Sequence, residues 1–593
     1  MLWAIENAAR FLEERKAISD LAGRTDWLQN VRWGFAKGAL LKVDADIIVG
    51  DETYDVELVY PNLFPDTPAY VRPRSSTAQW SSHQYGPGRV LCLEWGPDNW
   101  SSDITGADLV ASAHKLLSAE RGPDAASEAV PSRHAITFGQ EVRASTERVV
   151  LTPALRRYLE DIGPQDQREL VTRCILHRPA VVTFISEVSQ SGADAFQPPD
   201  LPSGVLHYGP LFAWRKRGWL FKSETFRSQS QLSSIGELLA AIHDAGFKDF
   251  RFPTTDGGPS ETEYLILLAA GDKVARAVSV ETSGEKTVTD CTVIDAGDAE
   301  AERLPLEHRT LSEKRVGIVG LGSVGSKVAI SLARCGVRKF LLVDDDVMLG
   351  ANCCRHELDW ASVGANKVDA VKEALSLIAA GIDVQVRRTR IAGQESAESA
   401  STALDSLATC DLVIDATANP SVFVQLAAVT KRRKKPLIWG EVFAGGIGGL
   451  LVRSRPDKDP EPLAMREGVY RYLETLPKAP FRIAPGYDVS DRSSPLVAYD
   501  AEVSQFAAAL TSFALDTMLD RSPATFPHSA YLMGFKHEWI FEAPFDTQPI
   551  LVQATPEEAL DVSEKKVGEG QEVAAVLVDL INQQINADSS AAR

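Results

Sequence analysis

The second half of the chain contains a glycine-rich turn between a predicted strand and a predicted helix. The strand RVGIVG leads into Gly320, Gly322 and Gly325, and the helix follows directly. Glycine lets a backbone approach a phosphate closely, and a helix N-terminus offers unpaired N–H groups and a favourable dipole. Asp344 lies at the end of the next predicted strand, 24 residues after Gly320, a spacing at which a carboxylate binds ribose hydroxyls. This pattern predicts a nucleotide site.

Four polar residues after Asp344 narrow the chemistry of that site. They are Asp346, Asn352, Arg355 and Lys367. A glycine turn alone favours an NAD-dependent oxidoreductase, but hydride transfer has no use for an amide and two cations near the phosphates. Attack of a carboxylate on an α-phosphorus does, because fixed donors and a metal must neutralise the charge that builds on the phosphates. The set therefore favours adenylation.

The run VDDDVMLGANCCRHELDWASVGANKVDA, which contains these residues, resembles the D-x-D, N-x-x-R and G-x-x-K motifs of the ThiF/MoeB/ubiquitin-activating family. The resemblance is close from Arg315 to Pro420. It implies a Rossmann-like domain that uses ATP and Mg²⁺, with Asp344 at the ribose. Asn352, Arg355 and Lys367 would hold the phosphates, and a homodimer is expected.

The sequence departs from that family at the end of a later predicted strand. The family usually has D-x-x-D-N there, with the second acid handling magnesium, whereas this chain has Asp415 followed by Ala418 and Asn419. Either Asp415 or Asp346 takes over the metal, or adenylation is slow or absent.

Cys92 differs from the other cysteines in lying in a loop with Gly and Pro on both sides, where a thiol can be presented to a partner. The surrounding stretch resembles ubiquitin-conjugating enzymes over about residues 1–120. PNLFPDTP is similar to their Y-P-F-x-P-P turn, VLCLE to their I-C-L-D, and Trp100 to the tryptophan eight residues after their cysteine. Their upstream His-Pro-Asn is replaced here by His83-Gln84-Tyr85, so His83 or Tyr85 would have to stabilise the oxyanion, or His83 act as a base. A surface or core histidine is an equally good interpretation of His83.

Together the two resemblances imply a relay in one chain. ATP and a protein C-terminal carboxylate give an acyl-AMP, a thiolate displaces AMP, and Cys92 passes the acyl group to an amine of a target protein. Cys353 or Cys354 is an alternative first acceptor, but the pair would be crowded against the nucleotide. Action together with a partner protein is a third alternative. Fusions in this order resemble bacterial proteins of antiphage operons. In the CBASS relatives the acyl donor is a nucleotidyltransferase C-terminus, in related ubiquitin-like operons it is a ubiquitin-like protein, and the sequence does not choose between the two.

Length and net charge indicate the domain organisation and one class of partner to exclude. A chain of 593 residues predicts several domains. We expect an α/β multidomain protein: an α+β ubiquitin-conjugating-like domain (1–120), a linker (121–132), a middle α+β domain of unknown role (133–300), and a Rossmann-like ThiF-type domain with a C-terminal tail (301–593). The net charge of −19 argues against nucleic-acid binding.

The N-terminal segment predicts where the protein resides. It lacks the continuous apolar stretch of a signal peptide, and no apolar run in the chain approaches the roughly 20 residues that span a bilayer. It predicts instead an amphipathic helix with Leu2, Ile5, Ala8, Ala9 and Leu12 on its apolar face. A cytoplasmic protein without a membrane partner is therefore expected.

Three rival functions follow from the same residues. A sulfur-carrier-activating enzyme like MoeB or ThiF would need no conjugating-like module. A non-catalytic adaptor is favoured by Ala418 and by the missing oxyanion asparagine, and opposed by Cys92, Arg355 and Lys367. An NAD-dependent oxidoreductase would need a catalytic dyad beside a nicotinamide, and the sequence offers no candidate.

Overall fold

The fold is taken from a computed structural model. It describes residues 2–75, 80, 84–85, 90–121, 142–143, 145–190, 194–206, 213–228, 232, 234–253, 263–271, 273–282, 287–297, 303–394, 396–443, 445–477 and 498–552. The chain divides into two compact units, Met1–Arg143 and Ala144–Arg593. The predicted linker after residue 121, His83 and the part of the predicted C-terminal tail after residue 552 lie outside the described residues.

The first unit packs helices against an antiparallel four-stranded sheet of order β1-β2-β3-β4. Its elements are α1 (Leu2–Glu6), α2 (Ala8–Arg24), β1 (Leu28–Ala36), β2 (Leu40–Val49), β3 (Glu52–Tyr60), β4 (Tyr70–Pro73), β5 (Gln84–Tyr85), β6 (Val90–Leu91) and α3 (Gly106–Arg121). The alternation of buried and part-exposed residues along β2 shows why it forms a strand with one face on the core.

The expected apolar face of the N-terminal helices is wrong. Ile5 and Leu12 are 70% and 64% exposed. The buried side of α2 includes Arg10 and Glu14, and the Glu14 carboxylate accepts hydrogen bonds from the Tyr60 hydroxyl (2.8 Å) and the Gly106 N–H (2.7 Å). The other carboxylate oxygen, Oε1, lies 2.8 Å from the Arg10 guanidinium. A charged group can face the core when it is hydrogen-bonded and paired in this way, and periodicity of apolar residues cannot detect it.

The second unit begins with a closed seven-stranded barrel of order β10-β11-β12-β13-β7-β9-β8. Its elements are β7 (Glu147–Leu151), α4 (Pro153–Asp161), β8 (Asp166–His177), β9 (Ala180–Val188), α5 (Ser203–Leu206), β10 (Ala213–Lys222), α6 (Ile235–Asp244), β11 (Glu263–Ala270), β12 (Lys273–Glu281) and β13 (Thr287–Asp295). The buried ammonium of Lys222 caps the end of α4 by donating to the carbonyls of Leu159 (2.6 Å) and Ile162 (2.7 Å).

The rest of the second unit is an eight-stranded sheet with helices around it, of order β16-β15-β14-β17-β18-β19-β20-β21. The elements are α7 (His308–Glu313), β14 (Arg315–Val319), α8 (Ser323–Arg334), β15 (Lys339–Val343), α9 (Lys367–Ser376), β16 (Asp383–Arg387), α10 (Ala397–Leu407), β17 (Leu412–Asp415), α11 (Pro420–Arg433), β18 (Leu437–Phe443), β19 (Gly448–Ser454), α12 (Pro462–Thr475), α13 (Asp500–Leu519), β20 (Ala530–Gly534) and β21 (Thr547–Pro549).

Strands β14 to β18 of this sheet are parallel, and β18 to β21 are antiparallel. Strands β14 and β15 are almost wholly buried, as continuous apolar runs of parallel strands should be. The chain runs outward from β14 through β15 to β16 and then returns to β17 on the other side of β14, so the strand order reverses between β14 and β17. Ligands of such sheets bind in the crevice at the carboxyl ends of the strands where the order reverses. The expected α/β Rossmann-like C-terminal region is confirmed.

The barrel region contacts a helix that packs beside this sheet. Helix α5 packs against the C-terminal end of α9, and a Cβ added at Gly204 would come within 2.5 Å of the Ser376 Oγ. Since α9 begins at Lys367, the barrel region supports the helix that carries a predicted phosphate ligand.

Among the described residues, no helix is both long enough and apolar enough to cross a bilayer.

Candidate nucleotide and thiol sites

A cleft of about 980 Å³ opens at the carboxyl ends of the parallel strands. Its lining includes most of the predicted nucleotide residues: Gly320, Gly322, Asp344, Asp346, Asn352, Arg355 and Lys367. These residues come from the ends of two strands, one 3₁₀ turn and the start of α9, separated by up to 47 positions in the sequence. The sequence-predicted set therefore converges in space, with Gly325 and Asp415 outside the cleft lining.

Each of the three glycines in the turn is suited to its position for a different reason. Gly320 has φ +86°, the left-handed region that an L side chain rarely adopts. A Cβ at Gly325 would lie 1.9 Å from the Gly320 carbonyl oxygen, so this glycine lets α8 pack against the turn rather than lining the cleft. A Cβ at Gly322 would meet no protein atom within 4 Å, which leaves room there for a ligand.

The Asp344 carboxylate organises the turn from the end of β15. Its Oδ2 accepts a hydrogen bond from the Leu321 N–H, and its Oδ1 accepts one from the Asp346 N–H at 2.8 Å. Each carboxylate oxygen has a second lone pair, so both can still accept from ribose hydroxyls. The structure thus gives Asp344 a local structural task in addition to the predicted ligand contact.

Lys367 and Asp346 form an ion pair in the cleft. Lys367 is only 6% exposed, and its backbone N–H donates to the Asp346 carbonyl at 2.9 Å. Partial burial raises the pKa of Asp346, but the hydrogen bond and charge of Lys367 outweigh it and hold that pKa below its usual range. The remaining N–H donors of the ammonium are available for a phosphate.

The 3₁₀ turn Gly350–Cys354 places Asn352 and Arg355 on the cleft wall. The Asn352 Oδ1 accepts from the Leu349 N–H at 2.8 Å, so its amide nitrogen keeps its donors for a ligand. The cations in the lining are Arg355, Lys367 and Arg390, the last from beyond β16 and missed by sequence reasoning. Amide and cation donors in one cleft suit a polyanion such as a triphosphate.

Asp415 faces a different cavity. Its carboxylate is 3% exposed and lines a small pocket of about 40 Å³ together with Glu441 and Arg466. Its Oδ1 accepts from both the N–H (3.0 Å) and the hydroxyl (2.6 Å) of Thr417. Burial raises the pKa of Asp415, and the Thr417 hydrogen bonds oppose that rise. The small pocket adjoins the cleft, since both are lined by Ala418, Asn419, Gly440 and Glu441.

The donors present suit Mg²⁺, which binds one or two carboxylates together with the phosphates of its nucleotide. Asp346 offers such a carboxylate in the cleft, Glu441 lines both the cleft and the small pocket, and Asp415 lines the small pocket alone. Burial and the nearby Asp415 charge raise the pKa of Glu441, while Arg466 lowers it. Within the described ranges, no three His, Cys, Asp or Glu side chains are grouped so as to hold a metal by themselves.

His356 is the clearest residue that the sequence analysis missed. It is buried, lines the cleft beside Arg355, and contacts the Leu321 carbonyl oxygen through its Nε2 at 2.8 Å. Nothing in the sequence distinguishes it from an ordinary surface histidine after an arginine. Its partner lies 35 positions earlier, and such contacts appear only in three dimensions.

Cys92 lies in the first unit, directly after β6, between the buried side chains of Leu91 and Leu93. It is partly exposed and not in a disulfide. The loop that follows is held at two points. The Glu94 N–H donates to the Ser112 hydroxyl of α3 (2.8 Å), and the Trp100 indole N–H donates to the Pro65 carbonyl (2.7 Å). A thiol on a loop held in this way has a fixed position.

The structure describes the backbone of Tyr85 in β5, whereas His83 lies outside the described residues. The two alternative acceptor cysteines lie in the 3₁₀ turn beside Asn352, with Cys354 exposed and Cys353 partly exposed.

The parallel sheet and the glycine turn define a domain of the Rossmann-like class. The family model for this domain is the ThiF family, which matches residues 299–463. The chain therefore carries a ThiF-family domain in its second half, as the motifs predicted.

Two curated relatives match the same chain in part. Uncharacterized protein y4qC of Sinorhizobium fredii is 34% identical over 25% of this chain and 26% of its own length. The ATP-dependent ubiquitin transferase-like protein Cap2 of Enterobacter hormaechei is 35% identical over 22% of this chain and 20% of its own length. The chain thus spans about a quarter or less of these relatives.

Among solved structures, that of E. coli MccB with ATP is 18% identical and covers 42% of this chain and 67% of MccB, with a TM-score of 0.32. A likeness at that score adds nothing to the assignment.

Proposed function

We propose that the ThiF-family domain uses ATP to adenylate the C-terminal carboxylate of a protein. The convergence of Asp344, Asn352, Arg355 and Lys367 on one cleft beside a glycine turn carries this proposal. A carboxylate oxygen of the substrate attacks the α-phosphorus, the bond to the β-phosphate oxygen breaks, and pyrophosphate leaves. Arg355, Lys367 and the N–H groups at the start of α8 stabilise the charge on the phosphates. Bound Mg²⁺ would supply further neutralisation of that charge.

The second step of the proposal uses Cys92. Its thiolate attacks the acyl carbon of the acyl-AMP, AMP leaves, and an amine of a target protein then displaces the thiolate to form an amide. The held loop around Cys92 supports this role, because transfer needs a thiol in a fixed position. Tethering the thiol to the adenylating domain raises its effective concentration towards the millimolar range for a suitable linker. His83 is proposed as a base or oxyanion donor in the transfer.

The substrate is proposed to be a ubiquitin-like protein or the C-terminus of a nucleotidyltransferase, in bacterial antiphage defence of the CBASS type or a related ubiquitin-like operon. The similarity to Cap2, whose description is ATP-dependent and ubiquitin transferase-like, supports ubiquitin-like conjugation. We further propose a homodimer in the cytoplasm.

The test follows each step separately. The full chain is incubated with ATP, Mg²⁺ and candidate protein tails, and pyrophosphate exchange is measured before non-reducing gels are run. Cys92→Ala should keep exchange and lose a thiol-sensitive adduct, and the matched variant Cys354→Ala should keep both. Arg355→Ala should lose both. If Cys92→Ala still conjugates while Arg355→Ala does not, direct capture by Cys92 is refuted.

A non-catalytic adaptor is the second candidate function, and one specific observation favours it. Ala418 occupies the position of the usual second acid, and Asp415 faces the small pocket rather than the cleft. An adaptor would bind ATP or a protein tail yet give no pyrophosphate exchange with any tail.

A further inference from the structure

The backbone of the glycine turn is held on both sides of Leu321. The Leu321 N–H donates to Asp344, and the Leu321 carbonyl oxygen contacts the His356 Nε2 at 2.8 Å. The other ring nitrogen of His356, Nδ1, accepts a hydrogen bond from the Leu358 N–H at 3.1 Å. Because Nδ1 accepts, the ring proton must lie on Nε2, where it is donated to the carbonyl. Both nitrogens are therefore used by the neutral ring.

The segment that carries His356 is tied to α8, the helix that begins at the turn. The Glu357 N–H donates to the Ser326 hydroxyl at 3.3 Å, and the Glu357 carboxylate lies 3.8 Å from the Lys327 ammonium. Lys327 also pairs with Asp500 at the start of α13 (2.9 Å). His356 thus contacts the turn from a support that is itself fixed, as a residue that positions a ligand site should.

The charged groups near the His356 ring come from three elements. Lys367 begins α9, Lys327 lies on α8, and Asp344 follows β15. Burial is the largest influence and lowers the pKa of His356. The two ammonium groups also lower it, whereas the hydrogen bond to Leu321 and the Asp344 charge raise it, and the net direction is downward. The neutral ring is accordingly the form present at neutral pH.

We propose that His356 is a positioning residue that holds the glycine turn in its nucleotide-binding shape, and that it does so only as the neutral Nε2–H tautomer. Protonation would add a hydrogen at Nδ1 facing the Leu358 N–H, so two donors would point at each other and that hydrogen bond would be lost. Nε2–H would still face Leu321, but the ring would lose the Leu358 bond that fixes its position against the turn, and a second cation would appear beside Lys367. This inference rests on the proposed use of ATP by the same cleft.

The test measures ATP affinity of the full chain by titration calorimetry from pH 5.5 to pH 8, without any acyl substrate. His356→Gln keeps an amide donor and a carbonyl acceptor but cannot titrate. It should bind ATP at pH 8 nearly as tightly as the parent chain, whereas His356→Ala should bind about tenfold more weakly, as the loss of one or two hydrogen bonds predicts. Because the pKa of His356 is lowered, the affinity of the parent chain relative to His356→Gln should fall only at the acidic end of this range, by less than about tenfold at pH 5.5.

The matched control is His308→Gln. His308 is also buried in the same unit, and its Nδ1 contacts a backbone carbonyl (Pro305, 2.8 Å), but it does not line the cleft. Protonation of ATP itself affects every variant equally and cancels in the ratio. Identical pH profiles for the parent chain and His356→Gln would overturn the tautomer requirement, and unchanged binding by His356→Ala would overturn the positioning role.

If His356→Ala fails to fold, the comparison with His356→Gln still decides. A parent chain that binds no ATP at any pH would refute the proposed function itself, and binding without pyrophosphate exchange would refute adenylation while leaving this inference standing.

Discussion

Ala418 has φ +52° and lines both the cleft and the small pocket behind it. An L-residue in this left-handed region is strained by about 1–2 kcal/mol, because its Cβ crowds the following carbonyl. Glycine avoids that contact, and aspartate and asparagine tolerate the region through local hydrogen bonds. We therefore expect three substitutions at this one position to separate backbone strain from chemistry: Ala418→Gly, Ala418→Asn and Ala418→Asp.

The expected change in unfolding free energy for Ala418→Gly is the difference between two opposing contributions. Ala418→Gly removes about 1–2 kcal/mol of strain and costs about 0.5–1 kcal/mol of backbone entropy. The net result should be stabilisation by up to about 1.5 kcal/mol, or a rise of up to roughly 2 °C in the midpoint of thermal unfolding. An alanine in ordinary conformation would give the opposite sign, so the direction alone is diagnostic.

The assay is differential scanning calorimetry of the full chain, following the transition that added ATP shifts upward. Ala392→Gly is the matched control, since Ala392 also has a left-handed φ (+62°) but does not line the cleft. It should stabilise to a similar extent and leave ATP binding unchanged. A lower midpoint for Ala418→Gly would refute the strain argument.

The charge of an acid at the same position is tested by comparing Ala418→Asp with Ala418→Asn. The two have nearly the same shape and both tolerate the backbone conformation, so they differ mainly in charge. If Mg²⁺ binds near this wall of the cleft, Ala418→Asp should increase the Mg²⁺-dependent part of ATP affinity, while Ala418→Asn should not. Equal Mg²⁺ dependence in both variants would show that a carboxylate here does not reach the metal.

Two further substitutions test the fold and the site. Asp516→Asn should destabilise the second unit by about 3–5 kcal/mol, measured by denaturant unfolding. The reason is that the buried Arg453 guanidinium would lose the Asp516 carboxylate, which lies 2.9 Å from it. The control Asp520→Asn changes an exposed carboxylate and should cost at most about 1 kcal/mol. Burial raises the pKa of Asp516, but the Arg453 hydrogen bond outweighs it and holds that pKa below its usual range. The stabilisation by Asp516 is therefore present above the unfolded pKa and is lost as pH falls below about 4. A difference in unfolding free energy between the parent chain and Asp516→Asn that stays constant down to pH 2 would contradict this. Lys367→Met should weaken ATP binding about 10–100-fold, because charged hydrogen bonds to the phosphates are lost. The control is Lys372→Met, which changes a lysine on the exposed side of α9. If the two variants bind ATP with equal affinity, Lys367 does not contact the phosphates.

Much of the nucleotide cleft was predictable from the sequence because the carboxyl ends of parallel strands meet at one edge of a sheet. Gly320, Asp344 and Lys367 each follow or begin a regular element whose pattern is visible in the residues. Once the strands are parallel, their order along the chain places them side by side. That is why a set spread over 47 positions could be assembled without a structure.

The residues that sequence reasoning missed depend on contacts that no local pattern encodes. His356 contacts the glycine turn through Leu321, 35 positions earlier, and Glu441 reaches the cleft wall because β18 pairs with β17. Asp415 lines the small pocket, and its carboxylate accepts a hydrogen bond from the Thr417 hydroxyl. The spacing of the residues in the sequence does not predict this bond. Closure of the seven strands in the middle region was likewise invisible, since it depends on long-range pairing of β10 with β8 and β13 with β7.

The closed barrel also limits how other proteins can bind the middle region. An open sheet presents a row of unpaired N–H and C=O groups at its edge, and a partner can extend it by adding a strand. In the barrel, every strand from β7 to β13 has a neighbour on both sides. A protein that recognises this region must therefore do so through side chains and connecting loops, and its specificity is set by residue identity rather than by backbone pairing.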